Sequence, residues 1–323
     1  MITPVQNLVE IPAPDFDLAK TLDSGQVFHW ERAEPGFVGT IGDLAVYLNQ
    51  AGDTLQTSGN AQDLECLKHS RLEQLVANYF ALDHPLGEIC ASFPNDQAMI
   101  AAREFCRGLR IIRQPKWECL ATFICSSMKQ VAHIRQISRK LRERFGEARK
   151  IAGRTVYTFP SPESVASSSD RELRKCALGY RAKNLLSTAR QVASGGLDLE
   201  KLAKLADADL RASLCQLPGV GAKVANCVML FAYERLRAFP IDVWIERVLR
   251  EKYFPRARKL NAARLRAFTE EYFGEHGGYA QQYLFHHARM NKTSKMERRA
   301  QSRPRKRRTT RRSSLHDKGA RVR

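Results

Sequence analysis

The sequence predicts an α+β protein that is mostly helical, with a small antiparallel β-sheet domain ahead of a larger helical one. Three observations lead there. Residues 1–100 hold short alternating runs separated by turn signals. From about residue 98 the apolar spacing becomes helical. A tight Leu-Pro-Gly-Val-Gly turn, residues 217–221, then stands between two helical patterns.

In the first region, residues 26–30 alternate, which predicts a strand with Phe28 and Trp30 on one face. Residues 44–48 do the same with Leu44, Val46 and Leu48. Glu34-Pro35-Gly36, Gly42-Asp43, Ala51-Gly52-Asp53 and Ser58-Gly59-Asn60 supply the turns. Helices are expected near 72–82 and 86–92. The helical region reads as 117–126, 131–145, 170–178, 181–194, 203–215, the helix carrying Lys223, 243–251, 262–276 and 279–290. Val224, Cys227, Val228, Phe231 and Ala232 form one apolar stripe. The expected division is a sheet domain over 1–100, a helical domain over 101–291 and a basic, disordered tail over 292–323.

Composition narrows the function. The 323 residues carry a net charge of +19, which points to an anionic polymer as partner. The tail alone holds 14 Lys and Arg against 2 acidic residues, so most of the excess lies there. It reads as a nonspecific DNA tether or, through Arg305-Lys306-Arg307-Arg308, as an import signal. Residues 1–6 lack the charged start and apolar run of a secretory leader, and no apolar stretch is of membrane-spanning length. The 8 cysteines are scattered without a Cys-x-x-Cys pair, as expected in a reducing cytoplasm or nucleus.

The turn at 217–221 carries the chemistry. Its two glycines are expected to allow positive φ and close backbone approach. The free amides of the next helix form an anion seat. Lys223 lies on the first turn of that helix, and Asp242 follows 19 positions later. Alone, Lys223 reads first as a phosphate contact and Asp242 first as an N-cap. Together they suggest amine chemistry on a nucleic-acid backbone. Burial near a helix N-terminus favours the neutral amine, which can attack an electrophilic sugar carbon and form a Schiff base. A carboxylate nearby stabilises the positive charge that develops there. The base must leave the stack first.

Together with the hairpin, the segments Ser24-Gly25-Gln26-Val27-Phe28, Thr122-Phe123-Ile124-Cys125-Ser126-Ser127, Leu178-Gly179-Tyr180-Arg181-Ala182 and Tyr279-Ala280-Gln281-Gln282-Tyr283-Leu284-Phe285 resemble the helix-hairpin-helix DNA glycosylase superfamily. Within it, residues 15–290 are similar to the 8-oxoguanine DNA glycosylase/lyase family. The resemblance implies base excision from double-stranded DNA by a monomer, with β-elimination at the abasic site and no cofactor. Lys223 would be the Schiff-base nucleophile and Asp242 its partner. Phe285 and Cys227 would sandwich the flipped base, and Gln281 would bond its Watson–Crick edge. The Gly25 carbonyl would accept the N7 hydrogen that 8-oxoguanine has and guanine lacks. Gly219 and Gly221 would meet phosphate. The carbonyls of Cys215, Leu217 and Val220 would hold a structural monovalent or calcium ion. Met128, His133, Tyr180 and Arg181 would face the DNA gap.

Three positions depart from the family pattern. Met128 stands where many relatives have asparagine, His133 where an arginine often reads the orphaned cytosine, and Trp244 where many have histidine. Met128 can wedge a base stack but cannot report base identity, so a relaxed preference for the opposite base is expected. Rival readings are an iron–sulfur glycosylase, a noncatalytic DNA-binding module and a zinc-dependent base deaminase. The first is disfavoured because no cysteine follows Cys227, so no cluster is expected. The third is disfavoured because its His-x-Glu and Pro-Cys-x-x-Cys elements are missing. A bacterial cytoplasm is expected over a nucleus.

Overall fold

The structure, a computed structural model, describes residues 8–59, 69–257 and 259–301, with side chains only as far as Asn291. Five strands form one antiparallel sheet: β1 Val9–Pro12, β2 Glu31–Ala33, β3 Gly36–Ile41, β4 Leu44–Ala51 and β5 Thr54–Gly59, in the order β1-β5-β4-β3-β2. β2 to β5 run as a meander, and β1 returns to pair with β5, Val9 opposite Thr57. Side chains alternate across β4 as pleating requires. Leu44, Val46 and Leu48 enter one core with Leu55, Leu72 and Phe80. Ala45 and Tyr47 point the other way and meet Ile151 and Val156.

Ile151 and Val156 belong to a second sheet absent from the sequence reading, the hairpin β6 Ala148–Ile151 and β7 Arg154–Tyr157. At its turn Ala152 and Gly153 both have positive φ, 48° and 71°, as a two-residue hairpin of primed type needs. Alanine at the first of these positions hides the usual Asn-Gly or Asp-Gly signal.

Residues 26–30, expected as a strand, join no ladder. Gln26 explains the difference. Its amide nitrogen donates to the carbonyls of Thr21 (3.2 Å) and Arg110 (2.8 Å), and its side-chain oxygen accepts from the Ile112 amide at 2.8 Å. Its backbone carbonyl accepts from Gln114 Nε2 at 2.8 Å. The segment is thus bound across the seam between the sheet and the helices. Phe28 enters the helical core while Trp30 packs on the sheet core, so the two do not share a face.

In the helical part, Lys116–Ser126 is buried along most of its length, from Glu118 onward. Its Phe123 stacks on Phe231 of Ala222–Ala232 with ring centres 5.5 Å apart. That contact fixes the Lys223-bearing helix in the middle of the domain. The closing helix, Gly277–Gln301, buries Tyr279 and Tyr283, and the Tyr283 hydroxyl donates to the Leu109 carbonyl at 2.9 Å.

Several helix limits differ from expectation. The 203–215 helix appears as Leu199–Leu202 and Asp207–Cys215, because Asp198 caps the first piece through the Glu200 and Lys201 amides. The helix expected over 262–276 ends at Tyr272, before Gly274 at φ 61°. The closing helix passes residue 292, where the tail was expected to begin, and reaches Gln301. Residues 302–323 of that tail lie outside the described residues. Among the described residues no helix is long and apolar enough to cross a membrane.

Candidate active site

The turn at 217–221 closes on itself before the second helix starts. Leu217 and Val220 are buried, and the Val220 amide donates to the Leu217 carbonyl at 3.1 Å. Gly219 has φ 79°, and a Cβ there would lie 2.4 Å from Asn184 Nδ2, so glycine is required. Gly221 departs from the expected positive φ. It sits at φ −100° as the N-cap of Ala222–Ala232, and what it contributes is open space around its Cα. Gly221 and Ala222 are exposed, so the amides of this helix end face solvent as an anion seat.

Lys223 follows immediately but turns inward. Its Nζ lies 5.3 Å from the centre of the Phe123 ring. It lines a cleft with Gly25, Cys227, Asp242, Gln281 and Phe285, so the expected nucleophile, carboxylate and base-contacting residues converge. Asp242 is the N-cap of Val243–Val248, its Oδ1 accepting from the Ile245 amide at 2.8 Å. The capping role and the place beside the lysine coexist, because the cap bond aims the carboxylate into the cleft. Burial raises the Asp242 pKa, against the Ile245 bond and the Lys223 charge, which both favour the ionised form. Burial likewise pushes the Cys227 thiol up to about 11, the Lys223 charge opposing the rise. Cys227 is therefore a neutral, apolar wall one helical turn beyond the lysine.

The opposite wall is a fixed loop. Gly25 has φ 89°, and a Cβ on it would stand 3.1 Å from Phe285 Cε1 and 3.2 Å from Arg289 Nη1. Its neighbours are tied down on both sides. Gln26 is bonded as described above, and Gln282 Nε2 donates to the Ser24 carbonyl at 3.0 Å. Asp23 pairs with Arg32 at 3.0 Å and Arg135 at 2.9 Å, and Arg289 donates to the Asp23 carbonyl. Gln281 is 4 % exposed, and its Oε1 has no hydrogen-bond partner among the described residues. A buried acceptor left open in this way is the counterpart of a donor on a ligand. The free volume of this half-open cleft is only about 40 Å³, well below the roughly 300–1,000 Å³ of a formed ligand pocket. The lining must rearrange before a purine can enter.

The second group of expected DNA contacts lies outside the residues that line this cleft. Met128 is 95 % exposed at φ 53°, and Tyr180 is 58 % exposed. His133 is exposed on the first turn of Val131–Phe145. Arg181 does not join them at the surface. It is buried, its Nε donating to the Ser127 carbonyl at 2.8 Å with Nη2 on the same oxygen, and its guanidinium stacks 4.4 Å from the Tyr180 ring centre. These bonds tie Arg181 to the loop carrying Met128. Trp244 lies under Arg247, 5.7 Å from its guanidinium carbon, beside a groove of about 880 Å³ lined also by Tyr253 and His287. That groove is larger than the cleft but contains neither Lys223 nor Asp242.

The cleft also contains Phe123, Phe231, Pro240 and Gln282, to which the sequence assigned no role. Phe123 sits inside one of the family-like segments and Pro240 two residues before Asp242, so adjacency was their only signal.

A lysine just after a helix-hairpin-helix turn, sharing a cleft with a carboxylate and with Phe285, Gln281 and Gly25, points to a base-excision DNA repair protein of that superfamily. Comparison agrees: residues 121–272 match the model of the HhH-GPD superfamily base excision DNA repair protein. Residues 8–120 match the 8-oxoguanine DNA glycosylase N-terminal domain. The chain belongs to the 8-oxoguanine DNA glycosylase family and is a bifunctional DNA N-glycosylase and abasic-site lyase. It is 30% identical to N-glycosylase/DNA lyase OGG1 of Arabidopsis thaliana over 297 residues, 88% of this chain and 80% of the relative. It is 28% identical to the probable N-glycosylase/DNA lyase of Methanothermobacter thermautotrophicus, covering 87% of this chain and 96% of the relative. The solved 8-oxoguanine glycosylase/lyase of Clostridium acetobutylicum, in complex with double-stranded DNA containing cytosine opposite 8-oxoguanine, superposes with a TM-score of 0.80 at 29% identity. That match covers 90% of this chain and 98% of the solved one.

Proposed function

We propose that this chain removes 8-oxoguanine from double-stranded DNA through a covalent imine on Lys223, with little regard for the base opposite. The observation that carries the reading is the convergence of Lys223, Asp242, the open Gln281 oxygen and the fixed Gly25 loop on one cleft. The lesion is extruded into the pocket. Its Watson–Crick edge offers N–H donors to Gln281 Oε1, and its N7–H meets the Gly25 carbonyl, where guanine would present a lone pair. As the C1′–N9 bond breaks, its electron pair leaves with the base, which takes up a proton. Charge builds on the sugar and the Asp242 carboxylate stabilises it. Lys223 cedes a proton, which the departing base takes up, and its free amine forms the N–C1′ bond. Opening of the sugar ring at O4′ gives the iminium. Loss of the C2′ proton then expels the 3′ phosphate, and hydrolysis frees the lysine.

The phosphate seat at Gly219 and Gly221 supports DNA binding by the hairpin. A structural monovalent or calcium ion also fits there. The carbonyls of Cys215, Leu217 and Val220 surround one turn, and Leu217 accepts a single bond, from Val220 at 3.1 Å, leaving a lone pair for a hard cation. It would bridge to phosphate, and no chemical step runs through it. The seven free cysteines among the described residues support a reducing cytoplasm as its place of work.

The indifference to the opposite base rests on two features. Met128 has no group that distinguishes bases, and the Arg181 guanidinium is bound to Ser127. Single-turnover excision from duplexes with C, A, G or T opposite the lesion is expected to vary by less than about tenfold. A cytosine preference of about 100-fold, the scale of a good bidentate contact, contradicts it.

A further inference from the structure

We propose that Arg289 is a positioning residue for base recognition, a latch that holds the Phe285 ring on the Gly25 loop and sets how readily the pocket opens. The inference rests on reading the cleft as the base pocket. Gln281, Phe285 and Arg289 follow at intervals of four along the closing helix and share one face. The Arg289 guanidinium carbon lies 5.7 Å from the Phe285 ring centre. Its Nη2 donates to the Asp23 carbonyl and lies 3.3 Å from His286 Nδ1. Its Nη1 stands 3.2 Å from the place a Cβ on Gly25 would occupy, beside Phe285 Cε1 at 3.1 Å. Burial, with the Arg289 charge beside it, holds His286 down to about 4, so its ring is neutral and can accept from the guanidinium.

Motion is therefore confined to one side. The Asp23–Gly25 loop is anchored by Arg32, Arg135 and Gln282 as well. A cavity of about 40 Å³ admits a purine only if the Phe285 ring withdraws, and the guanidinium stacked against it must slide or release. With Arg289 bonded to the loop, the ring has one closed position to leave and one to return to. Without it, the ring and the loop are uncoupled, and the Gly25 carbonyl and Gln281 no longer meet a base held at a set depth.

The test exploits two activities of one site. Cleavage of a preformed abasic duplex uses Lys223 and Asp242 but carries no base, so a latch on the pocket should not affect it. Arg289→Met keeps an apolar stem over Phe285 and removes the donor; Arg289→Lys keeps a donor. Arg289→Met is expected to lower single-turnover 8-oxoguanine excision about tenfold or more, the loss of a charge-assisted bond. Abasic-strand cleavage should stay within about twofold, and Arg289→Lys should recover most of the excision. Unchanged excision in Arg289→Met, or an equal fall of both activities, overturns the latch. If the wild-type chain itself releases no 8-oxoguanine, the base-pocket reading falls and the latch with it.

Discussion

On the pocket side of the site, the loop at 23–26 is held by the bonds of Gln26, Gln282 and Arg289, and Phe285 rests directly on Gly25. On the gap side, Met128 and Tyr180 project into solvent, and the buried Arg181 is bound to the Ser127 carbonyl. Rigidity in the first place and bareness in the second follow from what each must tell apart. Under the proposed reading, 8-oxoguanine is told from guanine through its N7 hydrogen, and an acceptor that cannot turn away would make the wrong base costly. Under the proposed reading, filling the space of an extruded nucleotide needs an apolar wedge on a firm base, which Met128 on the Arg181-held loop would supply.

The comparison can be broken first at Asp242, where the largest effect is expected. Asparagine caps a helix as well as aspartate, so Asp242→Asn should leave the melting temperature within about 2 °C while excision falls about 10²–10³-fold. A loss of stability with little loss of rate would reduce Asp242 to a cap. Because burial raises its pKa, the acid limb of the wild-type rate profile should lie above the ordinary aspartate value of about 3.9.

A smaller effect is expected on the gap side. Arg181→Met frees the Ser127 carbonyl and should cost about 1–3 kcal/mol of stability in urea unfolding. Excision should slow by one common factor whichever base lies opposite. A loss confined to the cytosine duplex would make Arg181 a base reader.

The smallest effect lies away from both faces. Glu234 accepts from His84 at 2.6 Å and pairs with Arg113 at 2.5 Å; these contacts, His84 first, depress its carboxyl to about 2. A depressed carboxyl adds stability that is present above its unfolded pKa of about 4.3 and is lost as pH falls toward 2. At 41 % side-chain exposure the contribution is under about 1 kcal/mol. Wild type and Glu234→Gln should differ at neutral pH and converge near pH 2 in chemical unfolding. A gap that persists unchanged across that range would contradict it.

Much of this was legible in the sequence, for identifiable reasons. The hairpin turn, Lys223 on the next helix and the Gln281–Phe285 interval are local patterns, and local patterns survive folding. The helix Val131–Phe145 has the limits its periodicity implies. The rest depends on contacts between distant residues. Gln26 abandons its strand for partners more than 80 positions away. Arg181 lies in a family-like segment, but a charged residue is ordinarily at the surface, and its burial depends on Ser127, which is 54 positions away. Arg289 meets Asp23 across 266 positions, and no spacing rule joins them. β6 and β7 are short and carry Arg149, Lys150 and Arg154, so they resemble a charged loop until Tyr47 and Ala45 are there to pack on them.

The central claim is that Lys223 becomes bonded to deoxyribose during excision, and reduction of the reacting mixture with borohydride tests it most directly. On an 8-oxoguanine duplex the wild-type chain should yield a stable protein–DNA adduct whose site maps to Lys223, and Lys223→Gln should yield none. An adduct formed equally by Lys223→Gln, or base release by the wild type without any trapped complex, would contradict the account.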